Sequence, residues 1–224
     1  CKKKEFNKLY EHYDSLLKHH IDDVVAVSIS GGVDSMIASY IANIWCQRNS
    51  KTLILLHINY NNRDCTKEEV SMLTTWARII DVPLYIRTID EIQRKRSSQY
   101  RTLYEEITRI IRFSFYQHFN CPIILGHNKD DCMENIFSNL SKQIHFDNLL
   151  GMKSVSYDLN DVMILRPMLE VTKPDIVKFA DSHDIPHLED STPSWSRRGQ
   201  MRDILMPSIS SFDSKILDGM YKFA

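Results

Sequence analysis

The chain has 224 residues, which is enough for one large domain with a sizeable core, or for one domain with a small appendage. Hydrophobic residues make up 43% and charged residues 25%, a composition that excludes a wholly disordered chain, a collagen-like fibre and a coiled coil. The formal net charge is -1, so the chain lacks the basic surplus of many nucleic-acid-binding proteins, and any site for a polyanion must be a local patch.

Targeting signals and cysteines indicate the compartment. The longest largely apolar stretches, 24–29 and 53–58, are far shorter than the about 20 residues needed to cross a bilayer, so we expect no membrane span. No apolar run typical of a signal peptide follows the N-terminus. The five cysteines are an odd number without a CxxC pair or a zinc-finger spacing. These features predict a reducing, cytoplasmic location with buried or idle thiols.

Short apolar stretches alternate with longer segments of helical period from residue 24 onwards. The stretches predict strands at 24–29, 52–58, 83–86 and 122–125. The segments between and after them predict helices at 35–45, 66–80, 101–119 and 130–140. Strands joined by crossover helices form a mainly parallel sheet, so the predicted fold class is α/β, with a parallel sheet of five strands or so sandwiched by helices.

Three helical segments need separate mention. Residues 6–17 have the pattern of an amphipathic helix of unknown attachment. In the last third of the chain, Thr172 and Pro174 are typical of a helix start. In the long helix predicted at 101–119, the spacing predicts an inward face of Leu103, Ile107, Ile110, Ile111 and Phe115.

A glycine-rich loop follows the first predicted strand. It consists of Ser30, Gly31, Gly32, Val33, Asp34 and Ser35. The glycines permit a tight turn, and the N–H groups at the following helix start, together with the hydroxyls, suit an oxygen anion such as phosphate. The loop lacks the lysine of GxxxxGK[ST] and carries Asp34 instead, which suits a metal that bridges carboxylate and phosphate. The alternative is an ordinary strand-to-helix turn with a serine cap.

A second polar cluster follows the fourth predicted strand. It contains Gly126, His127, Asp130, Asp131 and Glu134. Clustered acids beside a phosphate loop suit Mg²⁺, so we predict that Asp34 and Asp131 are metal or phosphate-side residues. His127 is a candidate for a role in the chemistry of this site. The alternative for the acids is that they complement the dipole of the following helix, and the alternative for His127 is a structural role.

The segment Ser-Gly-Gly-Val-Asp-Ser at 30–35 resembles the pyrophosphate loop of the N-type ATP pyrophosphatases, the PP-loop superfamily. Within that superfamily, the order of motifs is most similar to the tRNA(Ile)-lysidine synthetase family. Residues 125–135 resemble its GHxxDDxxET segment, with Asn135 in place of Thr, and 104–113 resemble its Ala-Arg-x-x-Arg-Tyr helix. Further matches lie at 151–152, 166–169, 189–192 and 198–202. Thr192-Pro193 and Gly199 depart from the family pattern.

The resemblance implies an adenine nucleotide alpha hydrolase-like, Rossmann-like fold. It implies a PP-loop ATP pyrophosphatase domain at 23–207, after an N-terminal helical extension at 1–22 and before a C-terminal tail or the start of a missing domain at 208–224. The implied activity is an ATP-dependent ligase that adenylates the C2 oxygen of a tRNA anticodon cytidine and couples lysine, with release of pyrophosphate and AMP. ATP and Mg²⁺ are then the cofactors, and tRNA and lysine or another small amine the partners. A homodimer is one option for its assembly.

The resemblance and the residue chemistry together predict which residues bind ATP, which are catalytic and which contact RNA. Loop 30–35, with His57 and Gly126, is expected to bind ATP, and His57 matches the family's histidine on the adenine side. The expected catalytic residues are Asp34, Asp131, Glu134, Arg109, Arg112 and His127. The expected RNA contacts are Arg166, Trp195, Arg198 and Arg202, with Arg197 and Tyr100 as further candidates. The basic run Arg94, Lys95, Arg96, Arg101, Arg109 and Arg112 has a solvated helix face as its alternative explanation.

Three other functions stay open. A tRNA thiolase would share the loop, but the absence of a CxxC pair to hold a cluster or relay sulfur counts against it. A ligase for a small metabolite would also share it. The third alternative is an inactive RNA-binding relative, against which the intact loop, Asp131 and Glu134 argue. RNA-dependent release of pyrophosphate would separate these classes.

Overall fold

Strands and helices alternate in the order that the apolar periodicity predicts. The computed structural model describes residues 2–61, 66–92, 98–189, 192 and 194–224. The strands are β1 (Val24–Ser28), β2 (Thr52–Asn59), β3 (Leu84–Thr88), β4 (Ile123–Ile124), β5 (Val155–Asp158) and β6 (Val162–Leu165). The helices are α1 (Lys2–Leu17), α2 (Val33–Asn49), α3 (Thr66–Ile79), α4 (Ser98–Gln117), α5 (Lys129–Ser141), α6 (Lys173–Ser182), α7 (Arg197–Gln200), α8 (Met206–Phe212) and α9 (Lys215–Phe223). A π-turn at Met201–Leu205 joins α7 to α8.

The sheet confirms the predicted α/β class. Its described strands lie in the order β3-β2-β1-β4-β6-β5, and all adjacent pairs are parallel except β5 with β6, which is antiparallel. The central strands are continuously apolar because a parallel sheet with helices on both faces buries both sides of each strand. β5 and β6 were not among the predicted strands. No helix in the described ranges has the length and apolar character that a membrane crossing requires.

Two hydrophobic layers cover the sheet. On one face, Val25 and Val27 pack with α2 and α6. On the other, Ala26 and Ile54 pack with side chains of α4. Helix α1 buries Leu9, Tyr13 and Leu17 in the first layer, so the predicted amphipathic helix is attached to the same core as the sheet. The predicted boundary at residue 22 therefore separates two segments that share one core.

The inward face predicted for α4 is wrong in part. Leu103 and Ile110 are 48% and 50% exposed, whereas Tyr104, Thr108 and Tyr116 are buried. The buried stripe carries aromatic rings and a threonine, whose hydroxyl donates to the Tyr104 carbonyl at 2.7 Å. Because the intrahelical bond satisfies the hydroxyl, Thr108 takes an interior position that the aliphatic pattern did not indicate.

The cysteines that the structure describes carry no disulfide. Cys46, Cys121 and Cys132 are free, and burial raises the pKa of their thiols to about 12, 11 and 11. Such thiols ionise poorly near neutral pH, as expected for idle cysteines. Cys1 and Cys65 lie outside the described residues.

The strand order brings two polar loops together. β1 pairs with β2 on one side and with β4 on the other, so the loops after β1 and β4 leave the same edge at the point where the strand order reverses. Gly126, after β4, lies against the start of α2: a Cβ atom there would be 2.9 Å from the Asp34 carbonyl carbon and 3.0 Å from the Ser35 nitrogen. The missing side chain therefore permits the close approach of the two loops.

We predict that Gly126→Ala separates these loops. The new methyl group meets backbone, which cannot move aside as a flexible side chain would, so we expect a loss of stability of about 1–3 kcal/mol and weaker binding of the ATP that the resemblance implies. Urea denaturation and titration with ATP measure the two effects. Gly219→Ala is the matched control, because nothing lies within 4 Å of its added Cβ and alanine favours the helix interior. Equal behaviour of the two variants would contradict the prediction.

Candidate active site

The loop at 30–35 is closed by its own hydrogen bonds. Ser35 Oγ accepts from the Ser30 nitrogen at 3.0 Å and donates to the Gly32 carbonyl at 2.9 Å. Gly31 has a φ of 82°, a left-handed conformation that favours glycine. Gly32 is the N-cap of α2, and it has no side chain that could accept a hydrogen bond from the helix start. The first N–H groups of α2 therefore lack a side-chain acceptor at the cap, as an anion site requires.

Asp34 holds two contacts beside this loop. One carboxylate oxygen accepts from the Asn128 side-chain amide at 2.9 Å, and the other accepts from the Lys173 ammonium at 2.5 Å. Neither Asn128 nor Lys173 was among the residues predicted from the sequence. The carboxylate is thus placed by groups from the starts of α5 and α6.

Asn128 joins Asp34 to the second acidic cluster. Its side-chain oxygen caps α5 by accepting from the nitrogens of Asp130 and Asp131 at 2.9 and 3.2 Å. The Asp131 carboxylate returns a contact by accepting from the Asn128 nitrogen at 3.1 Å. This reciprocal arrangement is a capping box, and its Asn is almost fully buried.

Asp131 and Glu134 are paired with two arginines. The Arg198 guanidinium lies 2.5 Å from Asp131, and that of Arg202 lies 3.4 Å from it. Both arginines also donate through Nε to the two oxygens of buried Glu134. The structure thus brings two predicted catalytic acids together with two predicted RNA-binding arginines. A buried carboxylate needs such partners, since an unpaired buried charge is costly.

His127 is held as a neutral ring. Its Nδ1 accepts from Arg166 Nε at 3.0 Å, and since arginine only donates, the ring proton is on Nε2. Burial lowers the pKa of His127 to about 4, against the opposing effect of Asp131. Arg166 is buried and also donates to the Lys153 carbonyl and to Ser156. Because protein groups surround its guanidinium, the geometry favours a role for Arg166 in positioning His127 over the predicted RNA contact.

The two arginines of α4 differ in their contacts. Arg109 forms an ion pair with Asp158 at the end of β5. The buried Nε of Arg112 has no hydrogen-bond partner in the described part of the chain. Arg112 lies near His127, where its charge helps to lower the pKa of that ring. Of the pair, Arg112 is therefore the better placed to receive an anion beside His127.

His57 lies at the end of β2 and is 2% exposed. Its Nδ1 donates to the Ile29 carbonyl at 2.9 Å, and burial lowers the pKa of the ring. The neutral ring then has its lone pair on Nε2, which is buried and has no partner among the described residues. A buried acceptor without a partner is suited to a ligand donor such as an amino group.

A pocket of about 270 Å³ lies beside the arginine-paired acids. Its lining includes His127, Asp131, Glu134, Met152, Arg197 and Arg198. This volume is near the lower end of the about 300–1,000 Å³ that is usual for small-ligand sites. Trp195, two residues before Arg197, is 75% exposed.

Some predicted elements lie outside the described residues. They are Arg94, Lys95 and Arg96 of the basic run, and Asp190, Ser191 and Pro193 of the polar stretch before α7. Tyr100 is described and is 54% exposed.

The acids of the site fit Mg²⁺ only together with a bound nucleotide. No group of three or more His, Cys, Asp or Glu side chains in the described ranges is placed to hold a metal ion. However, Mg²⁺ at nucleotide sites commonly uses one or two carboxylates together with substrate phosphates and waters. Asp34 offers a hard oxygen ligand of this kind beside the loop. Asp131 fits less well, because two arginines pair with one of its oxygens, whereas a single ammonium pairs with Asp34.

Two residues of the site were missed from the sequence. Asn128 has a local signal, since an N-cap residue with an acid three positions later is typical of a capping box. Lys173 has none, because it reaches Asp34 across 139 residues of sequence.

Comparison with known proteins connects this geometry to a family. The PP-loop domain family matches residues 3–209. Among curated relatives, the tRNA(Ile)-lysidine synthase of Staphylococcus aureus is 27% identical over 85% of this chain and 45% of its own length. The bifunctional protein TilS/HprT of Listeria innocua is 24% identical over 99% of this chain and 34% of its own length. The chain thus spans a third to a half of these relatives.

Solved structures show the same fold at lower identity. The U34-tRNA thiolase NcsA of Methanococcus maripaludis, solved with its [4Fe-4S] cluster, superposes with a TM-score of 0.78 at 16% identity, covering 99% of this chain and 78% of that one. The NH3-dependent NAD synthetase of Campylobacter jejuni superposes with a TM-score of 0.56 at 15% identity, covering 99% and 92%. At these identities the similarity is one of fold alone.

We predict that His127 makes stability fall with acidity. In the unfolded chain its ring takes up a proton near the ordinary pKa of 6.5, whereas the folded ring does so only near 4. The unfolded state therefore binds more protons between these values, and lowering the pH from 7.5 to 5.0 should cost about 2 kcal/mol of unfolding free energy. Urea denaturation at both pH values measures this loss.

His127→Gln should reduce the pH-dependent loss by about that amount, whatever its effect at pH 7.5. His145→Gln is the control, because that ring is exposed and paired only with exposed Asp147. An unchanged pH dependence in His127→Gln would contradict the prediction.

Proposed function

This chain belongs to the PP-loop domain family, and we propose from that premise that it is an ATP-dependent tRNA-modifying ligase that couples lysine to an anticodon cytidine. One observation carries the proposal: the Asn128 side chain connects the loop at 30–35 to the acidic cluster by hydrogen bonds. The relatives named tRNA(Ile)-lysidine synthase support the substrate class. We propose a cytoplasmic location on the same grounds, and a homodimer stays a prediction.

The first step is adenylation of the cytidine C2 oxygen. The oxygen attacks the α-phosphorus of ATP, and the bond to the bridging oxygen of pyrophosphate breaks. N–H groups at the start of α2 and the hydroxyls of Ser30 and Ser35 are proposed to bind the departing phosphates. Asp34 would hold Mg²⁺, which neutralises charge on those phosphates. His57 Nε2 and Gly126 are proposed to lie on the nucleotide side, with the free acceptor of His57 available to the adenine amino group.

The second step is attack by the lysine ε-amine at C2. The amine forms the new C–N bond, the C2–O bond breaks, and AMP leaves with that oxygen. A pyrimidine carbonyl oxygen leaves poorly, whereas the AMP ester leaves readily, which is why ATP is needed. The amine must lose a proton, and the carboxylates of Asp131 and Glu134 are the proposed acceptors once RNA phosphates have drawn Arg198 and Arg202 away from them. His127 is unsuited to that role at Nδ1, because Arg166 occupies it; its Nε2–H can donate instead.

The RNA is proposed to approach over the exposed residues near α7. Trp195 is exposed and can stack on a base. The Arg198 side chain is 55% exposed and Arg202 lies beside it, so RNA phosphates can compete for both with the acids. Arg112, whose Nε has no hydrogen-bond partner within the described ranges, is proposed to bind an anionic group of the amino acid or the nucleotide.

The cysteines weigh against thiolation. Sulfur relay needs a reactive thiol or a cluster, and the chain has no CxxC pair. Cys46 and Cys132 are buried, with thiol pKa values raised to about 12 and 11. Ligation on a small metabolite shares all the ATP-side features, so only the dependence on RNA separates it from the proposed function.

The proposed function predicts transfer of an amino acid to RNA. The protein is incubated with ATP, Mg²⁺, bulk tRNA and each labelled amino acid, and pyrophosphate release and labelled nucleosides are measured. We expect release that depends on RNA and label from lysine. Release without RNA would indicate a metabolite ligase, and RNA binding without release would indicate an inactive relative.

Asp34→Ala should abolish pyrophosphate release without unfolding the chain. Loss of the proposed Mg²⁺ ligand removes charge stabilisation in the transition state, so we expect a fall of about 100-fold or more. A thermal melt checks folding, and Asp147→Ala, at an exposed position, is the control. Retained turnover in Asp34→Ala would refute the role of this residue.

Trp195→Ala should weaken tRNA binding by about 10-fold or more, because one base loses its stacking partner. The dependence of affinity on salt should stay unchanged, since no phosphate contact is removed. Arg198→Ala should instead flatten that dependence. Filter binding at several salt concentrations measures both, with Phe223→Ala as the exposed aromatic control. Equal affinity of Trp195→Ala and the wild type would exclude stacking.

A further inference from the structure

Lys173 is placed at the loop by both its backbone and its side chain. It is the first residue of α6, whose N-cap is Thr172. Its backbone nitrogen donates to the Asp130 carboxylate at 2.7 Å. Its ammonium lies 2.5 Å from Asp34 and its side chain is 27% exposed. A lysine held at both ends beside a phosphate loop, with access to solvent, is positioned to bind a ligand.

The loop itself contains no cation. Other nucleotide loops of the type GxxxxGK[ST] carry a lysine that reaches the phosphates, whereas this loop has Asp34 in its sequence. A carboxylate alone would repel phosphate. The Lys173 ammonium cancels that charge and is a compact donor of the kind that binds phosphate as a point charge.

We propose that Lys173 is a catalytic residue that binds the β,γ-phosphates of ATP over the loop at 30–35. This inference rests on the proposed function. In the free protein Lys173 pairs with Asp34. When the nucleotide enters, the Lys173 ammonium would leave Asp34 for the phosphates, and the freed Asp34 carboxylate would be available to hold a divalent cation. Lys173 then supplies from α6 the positive charge that the loop lacks, and it stabilises pyrophosphate as that group departs.

The alternative is that Lys173 only neutralises Asp34. The two roles differ in a background without the Asp34 charge. A counter-ion has no effect once Asp34 is replaced by Asn, whereas a phosphate ligand still matters. The comparison therefore needs four proteins: the wild type, K173M, D34N and the double variant D34N/K173M.

The experiment measures binding of inorganic pyrophosphate and of AMP by calorimetry, with Mg²⁺ where Asp34 is present and in EDTA in the D34N background, where no carboxylate holds the ammonium. We expect K173M to weaken pyrophosphate binding by about 10-fold or more in both backgrounds, since a hydrogen bond to a charged group is lost. K173R should retain part of the affinity, and AMP binding should change less than about twofold. Lys178→Met is the control, because that lysine of the same helix pairs with Glu5 instead.

The inference is overturned if the effect of K173M disappears in the D34N background, or if AMP and pyrophosphate binding fall together. Thermal melts check folding, and K173Q replaces K173M if the methionine variant does not fold. Absence of ATP and pyrophosphate binding in the wild type would overturn both this inference and the proposed function. Binding that depends on Lys173 without any RNA-dependent reaction would overturn the proposed function alone.

Discussion

The side chain of Asn128 fixes the geometry on which the site depends. A buried amide must satisfy its donors and acceptors, because each unpaired group costs about 1–3 kcal/mol. The Asn128 oxygen accepts from two nitrogens at the start of α5, and its amide group donates to Asp34. One side chain thereby sets the distance between the loop after β1 and the helix after β4. Gly126 makes this possible, because it leaves room for the two backbones to approach.

Three acids of the site, Asp34, Asp131 and Glu134, have cationic partners from later parts of the chain. Asp34 pairs with Lys173, and Asp131 and Glu134 pair with Arg198 and Arg202. This pairing explains how acids are tolerated beside a loop suited to phosphate, since uncompensated carboxylates would repel the ligand. Under the proposed function, an entering phosphate or divalent cation takes one partner from each pair. The arginines flank the start of a π-turn, a helix irregularity that is frequent at functional sites.

Local signals explain which parts of this structure could be predicted. β1 and β2 are largely continuous apolar runs, and the loop at 30–35 contains paired glycines. The positions of all three could therefore be predicted from the sequence. β5 and β6 were missed, because Val155–Asp158 is a short, mostly polar segment on the sheet edge and β6 is only four residues long. The acids and the two arginines were found, but not their pairing with each other, and Lys173 was missed. An ion pair between Asp34 and Lys173 leaves no trace in the local pattern, because only the fold brings the two together.

The loops that form the site follow three parallel strands, β1, β4 and β6. The shortest of these strands, β4, lies in the middle. β4 has only Ile123 and Ile124, both fully buried and paired with β1 on one side and β6 on the other. Its neighbours therefore determine where His127 and Asn128 emerge. The segment after β6 contacts the neighbourhood of both residues. Arg166 donates to the His127 ring, and Lys173 pairs with the Asp34 carboxylate, which Asn128 also contacts. A nucleotide that displaces the Lys173 contact would thus act on Asp34, one hydrogen bond away from the residue that caps α5. Asn128 therefore connects the loop at 30–35 by hydrogen bonds to Asp131, which the two arginines also contact.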